Sequence, residues 1–182
     1  MVLAALDLLR EAGLSGAGIN SVIGKSGAPK GSLYHYFPGG KSELMTAALR
    51  MAQASVGDSL GRVFHRAAPI GEKVRSLLTA TGNAMETNHF TKGCPVAAVT
   101  LDLDGSSEEL RQVCEAIFSG WLGVIGEGLE EVPLAERRNV AELILVTLEG
   151  AMILARACAT KDVLLRSGAG LAGVLEARFA PK

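Results

Sequence analysis

Apolar residues recur along most of this chain at intervals of three and four. Leu110, Val113, Cys114, Ile117, Phe118, Trp121, Leu122 and Ile125 form one such series, which lays a single apolar face along a helix. Val140, Leu143, Ile144, Thr147, Leu148, Ala151, Leu154 and Ala155 form a second. Weaker series occupy about 70–89 (Val74, Leu77, Leu78, Thr81, Met85) and about 163–179 (Leu164, Leu171, Val174, Leu175, Phe179). No stretch sustains a period of two, and no Asn-Gly or Asp-Gly pair separates β-branched runs, so strands are not expected. The pattern predicts an all-α protein. Breakers near 13–18, 27–29, 38–40, 68–71, 88–95, 104–107, 132–133 and 160 divide it into about nine helices. The first three are expected to be short and the fourth, from Lys41 to roughly Arg66, long; the last two are expected at about 134–157 and 161–179. This organisation predicts a compact unit of residues 1–45 joined by the long helix to a larger helical domain of residues 46–182.

Composition narrows the class. The chain has 182 residues, enough to bury a real core, and apolar runs are interrupted well before the ~20 residues a membrane span needs. Met1 is followed directly by a helical pattern (Leu3, Leu6, Leu8, Leu9) instead of a basic, apolar leader, which predicts a soluble cytoplasmic protein with no membrane partner. Cys94, Cys114 and Cys158 are odd in number and far apart, so neither a disulfide frame nor a zinc site is indicated, and they read as small apolar residues. The net charge of −1 is unevenly spread: residues 1–50 carry five Lys or Arg against three Asp or Glu, the remainder thirteen against sixteen. Between Glu11 and Glu43 there are three lysines, Lys25, Lys30 and Lys41, and no acid. A local basic face on an acidic body suits a protein of which one part meets phosphate.

Residues 18–41 carry the main functional signal. Ile19, Val22 and Ile23 give a first short helix an apolar face, Gly27 supplies a turn where positive φ costs little, and Pro29 suits the first turn of a second helix. In that second helix Leu33 and Phe37 are four apart and can face inward, leaving Lys30, Ser32, Tyr34, His35 and Tyr36 to project elsewhere. Both tyrosines of the protein fall here. Each residue singly is most often ordinary packing or a solvated charge. Together, two helices, a glycine turn, an acid-free basic surface and a donor-rich second helix are the layout of a recognition helix entering the major groove of double-stranded DNA.

The run Gly27-Ala28-Pro29-Lys30-Gly31-Ser32-Leu33-Tyr34-His35-Tyr36-Phe37 resembles the signature of the TetR family of bacterial transcription regulators. Pro38-Gly39-Gly40-Lys41 and Lys92-Gly93-Cys94-Pro95-Val96 resemble the LmrA/YxaF branch of that family. The resemblance implies an N-terminal helix-turn-helix domain, a C-terminal ligand-binding and dimerisation domain, and a homodimeric repressor released from its operator by a small apolar or aromatic effector. It implies that Lys30, Gly31, Tyr34 and His35 face bases or adjacent phosphates, and that Ser32, Tyr36 and Lys41 hold the DNA backbone, with Lys25 adding to the basic face. Pro29 stands where the family usually has a serine that caps the helix and touches phosphate, and the chain begins inside the first helix, without the basic arm of many relatives.

Other motifs weigh less. Gly168, Gly170 and Gly173 match G-x-G-x-x-G, but no strand is expected before them and no acid follows about 20 positions on. Gly24-Lys25-Ser26 and Gly40-Lys41-Ser42 echo the end of a phosphate loop without its earlier glycine. His35, His65 and His89 lack metal-ligand spacing, and no G-x-S-x-G elbow supports a hydrolase. No cofactor, metal or enzymatic activity is therefore expected; the rival reading is a small helical enzyme or metabolite-binding module whose helix-turn-helix is merely structural. In the larger domain Phe64, Met85, Phe90, Phe118, Trp121 and Met152 offer adaptable apolar walls for a ligand cavity. For any one of them core packing is the commoner role.

Overall fold

In the computed structural model, which describes residues 1–104 and 107–179, the chain is helical, with no strand among the described residues. Among the described residues nine α-helices follow one another: α1 (Val2–Gly16), α2 (Ile19–Ser26), α3 (Lys30–Tyr36), α4 (Gly40–Phe64), α5 (Ile70–Thr87), α6 (Pro95–Leu101), α7 (Glu108–Glu127), α8 (Arg137–Cys158) and α9 (Asp162–Phe179). A 3₁₀ turn, Leu134–Glu136, leads into α8. The expected ends of the long fourth helix and of the last two agree with these within a few residues. Gly13 breaks the helical dihedrals of α1 (φ 66°, ψ −164°), as the breaker near 13–18 leads one to expect, and a further turn follows it up to Gly16. No helix among the described residues is long and apolar enough to cross a membrane.

The described residues pack as two compact units. One takes Met1–Ser55 together with Cys94–Phe118; the other takes Val56–Gly93 together with the described residues from Ser119 onward. In the first, Leu6 and Leu9 of α1, Val22 of α2, Leu33 of α3, Leu44 and Leu49 of α4, Val99 of α6 and Ile117 of α7 are all buried. Cys94 starts α6 by accepting the Ala97 amide at its sulfur, and Pro95 takes the first helical position, where no amide partner is needed.

In the second unit α5 lies against both α9 and α8. Gly168 lets α9 approach: a Cβ added there would stand 3.1 Å from the Leu78 Cβ of α5. Gly170 and Gly173 meet nothing within 4 Å, so the G-x-G-x-x-G run lies inside a helix, with one of its glycines serving packing. The end of α7 is stapled by Lys73, only 3% exposed, which donates to the Gly128 carbonyl at 2.8 Å and lies 3.7 Å from the Glu130 carboxylate. That bond satisfies both a buried ammonium and a carbonyl at a helix end. The Glu131 carboxylate accepts the Ile70 amide at 3.1 Å, so the start of α5 is capped from the same loop.

Gly128 makes this loop possible, because a Cβ there would overlap the Phe64 carbonyl and side chain. Neither neighbour has room to give, Phe64 being fully buried. Gly128→Ala is therefore expected to lower stability by about 1–3 kcal/mol through overpacking, read as a lower urea midpoint. An unchanged midpoint would show that the loop relaxes freely.

Candidate nucleic-acid interface

A seven-residue helix carries the candidate surface, and its neighbours hold it in place. Gly27 ends α2 in the left-handed region (φ 66°, ψ 9°) and its amide bonds to the Ile23 carbonyl at 3.0 Å, as the sequence leads one to expect of a glycine there. Pro29 stands just before α3 in extended geometry (φ −59°, ψ 139°), so the helix starts at Lys30, and no side chain caps it. Leu33, the one buried residue of α3, is fully buried, as is Val22 of α2. Phe37, expected to face inward, is only half-buried just past the helix end.

The rest of α3 faces outward. Lys30, Gly31 and His35 are exposed, Ser32 is half-buried, and Tyr34 and Tyr36 keep 59% and 66% of their surface accessible. Two exposed tyrosines on one short helix present ring faces and hydroxyls to whatever docks there. The His35 imidazole meets the Tyr36 ring edge-on at 4.9 Å between centroids, which limits the freedom of both. Tyr34 passes beside Gly40, where an added Cβ would lie 3.9 Å from the Tyr34 ring. A Cβ on Gly31 would meet nothing within 4 Å, so the backbone there is open to close approach.

The two flanking lysines are engaged within the protein. Lys25 lies 2.9 Å from both oxygens of Glu11 and 3.6 Å from Asp7. The Glu11 hydrogen bond is the main influence raising its pKa. Lys41, in the first turn of α4, donates to the Leu14 carbonyl at 3.0 Å. That carbonyl belongs to the end of α1 beyond the Gly13 break (φ 66°, ψ −164°). A residue that sequence reasoning passed over completes the cluster. Asp102, capping the end of α6, accepts the Ser15 amide at 2.9 Å and the Ser15 hydroxyl at 3.0 Å. The Ser15 amide is the chief reason that the Asp102 carboxyl lies below its ordinary pKa, with help from the Ser15 hydroxyl, the Leu14 amide and the Lys41 charge. Nearby, Ser42 donates to Glu109 at 3.1 Å, joining the first turns of α4 and α7.

The six residues expected around a ligand fall in both units. Phe64, Met85 and Trp121 are buried in the second unit, where Phe90 and Met152 are half-buried; Phe118, half-buried, belongs to the first. Trp121 packs against Gly57, 4.0 Å from where a Cβ would stand. A cavity of about 410 Å³ lies in the first unit, among Leu14, Lys41, Ser42, Met45, Ser107, Glu109 and Leu110.

Two short helices joined by a left-handed glycine, with the second presenting basic and aromatic donors, define a helix-turn-helix protein of the DNA-binding kind. The chain belongs to the TetR family of bacterial regulatory proteins: residues 2–48 match the family's N-terminal model, and residues 71–169 match that of the LmrA/YxaF-like transcriptional regulator C-terminal domain. It is 31% identical to the HTH-type transcriptional regulator YxaF of Bacillus subtilis, over 88% of this chain and 85% of that one. Its fold is shared with the TetR-family regulator CifR, solved with a 26-base-pair operator duplex (TM-score 0.83, 21% identity, 99% of this chain and 95% of that one). It is shared too with FadR of Bacillus subtilis, solved with stearoyl-CoA (TM-score 0.71, 19% identity, 96% and 95%). This is a family of transcriptional regulators, not enzymes.

Because the folded pKa of Asp102 is depressed, the stabilisation it supplies is present above the ordinary aspartate value of 3.8 and is lost as pH falls through the lower folded value. Asp102→Asn should thus unfold at lower urea than the wild type at neutral pH, with the gap closing as pH drops below 3.8. A gap that stays constant into that acid range would mean that the carboxylate's charge contributes nothing.

Proposed function

We propose that the chain is a homodimeric repressor that reads operator DNA with α3 and is released from it by a small, largely apolar or aromatic effector. The observation that carries the reading is the outward face of α3, where Lys30, Gly31, Tyr34, His35 and Tyr36 are exposed on a helix anchored by buried Leu33. Lys30, Gly31, Tyr34 and His35 are assigned to base edges and adjacent phosphates, Ser32 and Tyr36 to the DNA backbone. Lys41 adds positive charge beside the start of α4 while its ammonium holds Leu14, and Lys25 does so while balanced by Glu11 and Asp7. In this reading residues 1–45 are the DNA-binding domain and residues 46–182 serve the effector and the dimer.

Dimerisation is supported by an apolar strip on the last two helices. Leu143, Val146, Ile153 and Leu154 of α8 and Val174 of α9 are exposed, Val146 to 69% and Val174 to 62%, and Gly150 and Gly170 beside them are open. Exposed aliphatic side chains around bare glycines permit close helix approach by a second copy. A lone reading head covers one half-site, so a two-fold pair also matches what specific recognition requires. For the effector, Phe64, Met85, Phe90, Phe118, Trp121 and Met152 remain the assigned walls, with Trp121 central. Their chemistry favours an apolar ligand, since a charged one would lose its hydration without compensation. The binding of stearoyl-CoA by FadR supports an effector role for the same fold.

The joint variant Lys30→Ala/Tyr34→Ala is expected to abolish duplex binding in gel shifts on the DNA flanking the protein's own gene, with its helical content intact. Full retention of binding by this variant would return the helix-turn-helix to a purely structural role. Leu154→Asp should convert the dimer to a monomer in sedimentation at micromolar concentration, and a wild-type protein already monomeric there would refute the pairing.

A further inference from the structure

The cavity in the first unit carries two opposite charges on otherwise apolar walls. It has a volume of about 410 Å³, a size suited to a small molecule, and lies between the end of α1 and the starts of α4 and α7. Its apolar walls are the inner ones: Met45 has no exposed surface, Leu110 keeps 7% and Leu14 is half-buried. A cation, Lys41, and an anion, Glu109, face the same space. Each is met by a neutral group. The Lys41 ammonium donates to the Leu14 carbonyl at 3.0 Å, and the Glu109 carboxylate accepts the Ser42 hydroxyl at 3.1 Å. Lys41 also acts through space on Asp102, but that carboxylate is occupied by the amide and hydroxyl of Ser15. An ammonium donates more than one bond and a carboxylate accepts several, so Lys41 and Glu109 both keep capacity for a further partner.

From this arrangement we infer that the cavity is a binding site for a small zwitterion with an apolar side chain, that is, an apolar α-amino acid. The ligand's carboxylate meets Lys41, its ammonium meets Glu109, and its side chain lies against Met45, Leu110 and Leu14. A zwitterion gives up its hydration only where both of its charges are met, and here the walls meet both. A ligand with one charge does worse. A fatty carboxylate brings an apolar tail against Glu109, and an alkylamine brings one against Lys41, each stripping water from a charge without replacing it. The ligand differs in kind from the apolar effector proposed above. Its binding rests neither on that effector nor on DNA reading.

The test is calorimetric titration of the full chain with L-leucine and L-phenylalanine at millimolar concentrations, without DNA. One molecule should bind per chain, saturably, and glycine, which lacks the side chain, should bind at least about tenfold more weakly. N-acetylphenylalanine, without the ammonium, and phenylalaninamide, without the carboxylate, should each also lose about tenfold or more, as for one charge-assisted hydrogen bond. Two variants then locate the charges. Glu109→Gln keeps an acceptor for Ser42 and should bind phenylalanine about tenfold more weakly, and in it N-acetylation should cost little further. Lys41→Gln keeps a donor for the Leu14 carbonyl and should behave in the same way towards the amide. The inference is overturned if neither amino acid gives saturable binding, or if either singly charged derivative binds as well as phenylalanine. It is overturned equally if Glu109→Gln binds as the wild type does, or if N-acetylation costs that variant as much as the wild type, since the ammonium is then held elsewhere.

Discussion

A seven-residue helix does not hold itself together in water, since nucleating a first turn is unfavourable and stable isolated helices need roughly twice that length or more. Everything the outward face of α3 can do therefore depends on the burial of Leu33, and on the Gly27 turn that ends α2 just before it. No side chain caps α3, and Pro29 offers no amide of its own, so packing carries the load that capping supplies in other helices. The division of labour within the helix is sharp. One inward leucine sets its position, and the remaining residues are free to be chosen for what they touch outside.

The same logic recurs at the ends of α1 and α7. In each place a helix terminus that ordinary capping leaves unsatisfied is closed by a charged side chain from a remote helix: Asp102 on the amides after Gly13, Lys73 on the Gly128 carbonyl. In each place a glycine makes room, Gly13 for the Asp102 carboxylate itself and Gly128 for the neighbouring Phe64. The two differ in surroundings. Lys73 is buried, while the Asp102 carboxylate is exposed.

The features legible in the sequence were the local ones. Gly27 and Pro29 mark the helix-turn-helix because turn chemistry acts over two or three residues, and the stripes through Ile117, Trp121 and Ile125 or Ile144, Leu148 and Ala155 reveal their buried faces by period alone. The long fourth helix and the last two were visible for the same reason. What was hidden depends on contacts distant in sequence. Nothing near Asp102 announces that its partner is Ser15, and nothing near Lys41 says that its ammonium meets a backbone carbonyl. Residues 94–118 pack with the first 55 although the chain reaches them only after an excursion through another unit, and a linear reading has no signal for such a return. The break at Gly13 was legible too, but not that the turn after it is held by Asp102.

The open space around Gly31 has a consequence for descent. Where Leu33 and Gly27 leave drift almost no latitude, a Cβ added at Gly31 would meet nothing within 4 Å, so a small side chain there should disturb folding little. Lineages that duplicate this gene can therefore explore new side chains at the outer surface of α3 without first accumulating stabilising changes elsewhere. Divergence of target preference between sister copies should be concentrated there, while the residues that seat the helix stay the same.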